Sequence, residues 1–297
     1  MPTMTELSGY LNIRQDEYRY LLLDPLKRIT SWDPLHPARL NDATGRETLR
    51  RVLRPDLAWS PEHCPLLLCL ASPGEFCDEI LVQNSGEHAR NERLAEKRYI
   101  CGWLSSSLEP DAMAEWLAGL CRDIVTSTTV PVHEPLRLEL LQATVDPAVL
   151  SALLHPVSQW HLLSCTDALI TLCGQNSDTE RRLNWGAEQA QRNVREILRL
   201  LSAWHDVMTT LPAEAVRLAT NAWTASGKTG LHHPGDRFYL ALSILTQPVD
   251  ITRHDSVKTR LQQAAGNPAL RFTQLMQSLP DETWQELRHL LPPLKGC

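Results

Sequence analysis

LRLELLQATVDPAVLSALLHPVSQWHLLSCTDALITL, residues 136–172, is the stretch whose reading decides the fold. Leu136, Leu138 and Leu140 alternate with Arg137 and Glu139, the period of two expected of a half-buried strand. Asp146 offers a carboxylate as an N-cap, and Pro147 suits the first helical position, where a missing N–H leaves nothing unpaired. Val149, Leu150, Leu153 and Leu154 make one apolar face at helical spacing. His155-Pro156 ends that helix, because a residue before proline is pushed out of the helical region. The short apolar runs carrying Trp160, Leu162 and Leu163, and then 168–172, predict two further strands.

Outward from there, the pattern toward the N-terminus alternates. Residues 18–23 read as a strand closed by Asp24-Pro25. A short helix is expected over 46–53, strands at 66–70 and 80–82, helix over 87–97 and a buried strand at 99–104. Pro110 opens a helix whose Met113, Trp116, Leu117, Leu120 and Ile124 share a face. The expected fold is therefore an α/β (or α+β) N-terminal lobe with a mixed sheet over 1–175. An all-α C-terminal lobe is expected over 176–297, where no strand pattern is found. There Ser177 and Glu180 form a capping-box pattern. From Leu183 through Ala190, Ile197 and Trp204 to Leu211, apolar residues recur in steps of four and three, predicting one long helix to Pro212. Its seam must bury against other helices, in this chain or in an oligomer. Shorter helices follow over 213–223 and 237–245, then around Val257, Leu275 and Trp284.

The 297 residues carry a net charge of −6 with 43% hydrophobic content, so two lobes are expected and no nucleic-acid footprint of clustered Lys and Arg is found. No run reaches the roughly 20 apolar residues of a membrane span, and no basic-then-apolar leader opens the chain. Eight cysteines without a Cys-x-x-Cys pair read as reduced thiols, which points to the cytoplasm. Nine tryptophans against three phenylalanines suit either core packing or interface anchoring.

Chemical motifs are few. Ser226-Gly227-Lys228-Thr229 matches the end of a phosphate-binding loop, but the glycine required five positions before the Gly-Lys is Ala222, inside an expected helix. His232-His233 has no Cys or acidic ligand at metal spacing beside it. These residues leave a nucleotide- or metal-binding enzyme using the 227–233 loop as an alternative. No residue is assigned as catalytic, cofactor-binding or metal-binding.

Several stretches together resemble the Tap-type adaptor (chaperone) family of the bacterial type VI secretion system. Tyr20-Leu-Leu-Leu-Asp24 is similar to that family's opening strand ending in Asp. Gly102-Trp103-Leu-Ser-Ser-Ser107, with the Trp116 helix, is similar to its middle strand and following helix. Asp146-Pro147-x-x-Leu150 with the run to Trp160 resembles its Asp-Pro-x-x-Leu element, and Asp236-Arg-Phe-Tyr-Leu-Ala-Leu242 the start of its final helical part. The family places Arg and aromatic residues directly before the Asp-Pro, where this chain has Gln142-Ala-Thr-Val145. The resemblance implies a non-enzymatic, cofactor-free cytoplasmic adaptor that grips a toxin effector between its lobes and loads it onto a VgrG or PAAR-type spike. Asp24, Trp103, Asp146, Pro147, Leu150 and Trp160 are its motif positions, with an architectural role.

Overall fold

Six strands and thirteen helices are seen in the computed structural model, which describes residues 7–44, 48–125, 128–179, 181–247 and 250–289. The strands are β1 (Tyr18–Leu23), β2 (Leu49–Arg51), β3 (Leu66–Ala71), β4 (Ile100–Ser106), β5 (Val157–Leu163) and β6 (Leu169–Leu172). They form one sheet in the order β2-β3-β1-β4-β5-β6, with every pairing antiparallel. The sheet-bearing N-terminal lobe and the helical C-terminal lobe are thus both present, and the sheet is antiparallel throughout.

Helices cover both faces of the sheet. Leu21, Leu23, Leu66 and Leu68 share one core with residues of α1 (Leu7–Ile13), α2 (Pro37–Thr44) and α3 (Glu79–Asn91). Tyr20, Leu22, Leu67 and Trp160 share the other with residues of α4 (Pro110–Asp123), α5 (Pro135–Thr144) and α6 (Pro147–Leu154). Alternate residues of β1 therefore serve opposite cores, so strands buried on both faces read as continuous apolar runs.

One irregularity redirects a large side chain. The β1–β4 register shifts where Leu22 faces Gly102 and Leu23 faces Ile100. Gly102 has φ 146°, and a Cβ on it would lie 2.6 Å from the His161 carbonyl oxygen and from Trp160 Nε1. Glycine permits this bulge. As a result Ile100 and Trp103, three positions apart, share one core while Cys101 and Leu104 share the other.

The opening stretch departs from its sequence reading. Residues 136–140 are not a strand but the first half of α5, started by Pro135. The alternation misleads because its polar members do not face solvent. Glu139 is buried and both its carboxylate oxygens accept the Cys165 N–H, at 3.0 and 3.2 Å. Arg137 donates to the Gln191 carbonyl at 2.9 Å and to Glu134 Oε2 at 2.8 Å. The rest holds: Asp146 accepts the Ala148 N–H at 2.8 Å, α6 begins at Pro147, and strands β5 and β6 follow.

Other expectations are corrected as well. The helix expected over 46–53 is in its described part β2, paired with Leu66–Leu68 of β3, while 45–47 lie outside the described residues. The strand expected at 80–82 is the first turn of α3, because Asp78 accepts the N–H groups of Ile80 and Leu81 as an N-cap; that helix stops at Asn91 rather than 97. The long helix expected from 183 is two helices, α7 (Trp185–Arg192) and α8 (Val194–Met208), broken at Asn193. Its N-cap is Asn184, whose side chain accepts the Ala187 N–H at 2.9 Å, not Ser177, and Glu180 lies outside the described residues. Thr209, with φ 61°, ends α8 before Pro212 is reached.

Compact units divide between Val194 and Arg195 rather than at 175/176. The reason is α7, which packs on α5 and places Leu183 and Ala187 in the sheet's core. The second unit holds most of α8, then α9 (Ala215–Gly227), α10 (Pro234–Thr246), α11 (Asp255–Gly266), α12 (Phe272–Gln277) and α13 (Asp281–His289), with no strand among its described residues. Its Leu240, Val257, Phe272 and Met276 form a core. Asp236, 1% exposed, ties α10 to α12 by accepting the N–H groups of Phe272 and Thr273 at 3.0 and 3.1 Å and the Thr273 hydroxyl at 2.8 Å.

Candidate functional site

The six motif positions do not converge on one site. Trp103 is fully buried and its indole N–H donates to Ser85 Oγ at 2.9 Å, joining β4 to α3. Trp160 is fully buried on the opposite core, against the open side of Gly102. Asp146 and Pro147 start α6, and Leu150 is buried on that helix.

Asp24 does more than end β1. Its Oδ1 accepts the Leu26 N–H at 2.9 Å, closing the turn. Its Oδ2 faces His133 Nε2 at 3.6 Å, with both side chains 1% exposed. On the far side of the imidazole, His133 Nδ1 is 3.7 Å from Cys121 Sγ of α4. No sequence pattern links Asp24 to His133, which lies more than a hundred positions further along the chain. Burial pulls His133 down, but Asp24 and the Cys121 thiol outweigh it and hold His133 up at about 9. Burial raises the Asp24 carboxyl, and the imidazolium of His133 beside it more than offsets this, leaving it below its ordinary value. Burial likewise raises Cys121, and His133 with Arg54 bring it below the usual thiol value.

A thiol, imidazole and carboxylate in a row are the parts of a nucleophilic triad. Here Cys121 is fully buried, so no substrate reaches its sulfur. Asp24, Cys101 and His133 also bring three donor atoms within 4.8 Å of one another. All three are buried, and Asp24 faces His133 across the gap between the end of β1 and the loop before α5.

The Gly227-Lys228-Thr229 end of the 227–233 loop has the wrong polarity for phosphate. Gly227 is the last residue of α9, and the Lys228 and Thr229 N–H groups point back to the Ala225 and Ser226 carbonyls. A helix C-terminus presents carbonyl oxygens and a partial negative charge, whereas phosphate sites use helix N-termini. His232 Nε2 is 3.0 Å from the Ala265 carbonyl oxygen, and His233 is the N-cap residue of α10, so the two do not converge. A cavity of about 340 Å³ lies beside Pro131, Arg137, Glu188 and Arg192. Its Arg137 is already paired with Glu134.

The surface tells more than the interior. Trp59 is 97% exposed, Trp32 72%, and Ile13, Phe76 and Ile80 between 68% and 72%. Scattered exposed apolar residues are ordinary, but the last three leave one rigid junction. Gln15 O accepts the Gly74 N–H at 2.7 Å, and Asn12 Oδ1 accepts the Cys77 N–H at 2.9 Å. Beneath them Arg19, fully buried, donates to the carbonyls of Arg14, Glu17 and Glu75. Sequence reading missed this junction, since Arg19 reads only as the polar member of a strand. The chain matches no protein-family model, no curated protein and no solved structure.

Proposed function

We propose that this protein is a non-enzymatic adaptor that holds a type VI secretion effector in the cytoplasm and loads it onto a VgrG or PAAR-type spike. The observation that carries the reading is the contrast between interior and surface. The Asp24, His133 and Cys121 cluster is sealed at 0–1% exposure, while large apolar side chains stand out in solvent. Large apolar side chains held outward are what a protein-binding surface needs. The resemblance of the 20–24, 102–107, 146–150 and 236–242 stretches to the Tap-type family supplies the kind of partner. The seven described cysteines are free thiols, which suits a reducing compartment.

Co-expression with the effector and spike proteins encoded beside its gene, followed by size-exclusion chromatography, tests the reading. A stable complex with either is expected. Elution apart from both overturns it.

A further inference from the structure

We propose that the junction of α1 and α3, carrying Ile13, Phe76 and Ile80, is the docking surface for the partner, and that it takes a segment with two or three large apolar side chains flanked by Lys or Arg. This deepens the adaptor reading and rests on it.

Three observations meet here. The first is exposure: the three side chains are 71%, 68% and 72% exposed. The second is rigidity. They leave segments locked together by the Gly74–Gln15 and Cys77–Asn12 hydrogen bonds and by the buried Arg19 guanidinium, and α1 packs on α3. A surface held this way loses little conformational entropy when it binds. The third is charge. Asp16, Glu75, Asp78 and Glu79 are exposed on these segments, whereas Arg19 is buried beneath them on backbone carbonyls and Arg14 is paired with Glu17.

The acidic rim selects the occupant. A nucleic acid or an anionic membrane is repelled by it, and a second copy of this chain would bring two acidic rims together. A protein segment with basic flanks and an apolar centre is attracted at the rim and buries its centre against Phe76 and its neighbours.

The test uses the intact chain co-expressed with the effector and spike proteins named above. A photo-crosslinking residue replaces Phe76 in one sample and Trp59 in another, and the crosslinked peptides are mapped by mass spectrometry. Position 76 is expected to capture an effector or spike segment with Lys or Arg within a few residues of its apolar side chains. Phe76→Ser with Ile80→Ser, and separately Asp16→Lys with Glu79→Lys, are expected to weaken binding by about tenfold or more with the melting temperature unchanged. Wild-type affinity is expected to fall with added salt. If the partner binds and both double variants bind as wild type, the docking surface is wrong and the adaptor reading stands. If neither effector nor spike binds the wild-type chain, both fall. Capture of a second copy of this chain at position 76 overturns the proposal in favour of self-association.

Discussion

His133 Nε2 and Asp24 Oδ2 stand 3.6 Å apart with each side chain 1% exposed, an ion pair closed off from water between the end of β1 and the loop before α5. Removing one partner leaves the other charge buried and unpaired, so Asp24→Asn is expected to cost about 3 kcal/mol or more. Urea denaturation of the purified variant measures this.

The same pair sets an alkaline limit. The folded His133 titrates at about 9, above the roughly 6.5 of an unfolded histidine. Its contribution is complete below the unfolded value and lost as pH rises through the folded one, up to about 3 kcal/mol. Cys121, held below its usual value, acts in the opposite sense as pH rises toward the pKa of an unfolded thiol, so that figure is an upper value. Unfolding free energies measured from pH 6.5 to 9.5 are expected to decline, and to lose most of this slope in Asp24→Asn.

An acid limit comes from His161 on β5. Burial holds it down at about 4, with Nδ1 2.9 Å from Thr171 Oγ1. A folded value below the unfolded one means that stability is complete above about 6.5 and falls as pH drops toward 4. His161→Gln is expected to flatten the denaturation profile between pH 6.5 and 4, which the same titration checks.

Gly102→Ala is expected to destabilise the first unit by about 3 kcal/mol or more. The new Cβ meets a backbone carbonyl and the Trp160 indole at 2.6 Å, at a φ that L-residues rarely adopt. Near-ultraviolet circular dichroism should lose tryptophan signal with the change, because Trp103 and Trp160 flank it.

In the second unit, Asp236→Ala removes four hydrogen bonds to Arg271, Phe272 and Thr273 and uncaps α12. A loss of about 3 kcal/mol is expected, read as faster amide exchange in α12. Asp146→Ala, a single exposed N-cap, should cost only about 1 kcal/mol.

Local rules were legible where the determinant is local. Asp146-Pro147 starts α6, His155-Pro156 ends it, and Pro110 opens α4, because a cap or a proline acts on its own backbone. Apolar runs of β1, β3, β4 and β5 read as strands because both their faces are buried. The 80–82 run was misread because Asp78, just ahead of it, caps a helix there.

Local sequence settled a sheet-bearing first part and a second part with helices and no strand among its described residues, since periodicity, proline and capping residues each act within a few positions. Tertiary structure alone decided three things. It made 136–140 helical by supplying Cys165 as the partner of buried Glu139. It split the 183–211 repeat at Asn193, because Ala187 is committed to α5's side of the sheet while Ile197 and Leu201 are buried in α8 of the second unit. And it brought Asp24 to His133 and Cys77 to Asn12, because pairings between distant segments depend on how the whole chain packs and leave no mark on local spacing.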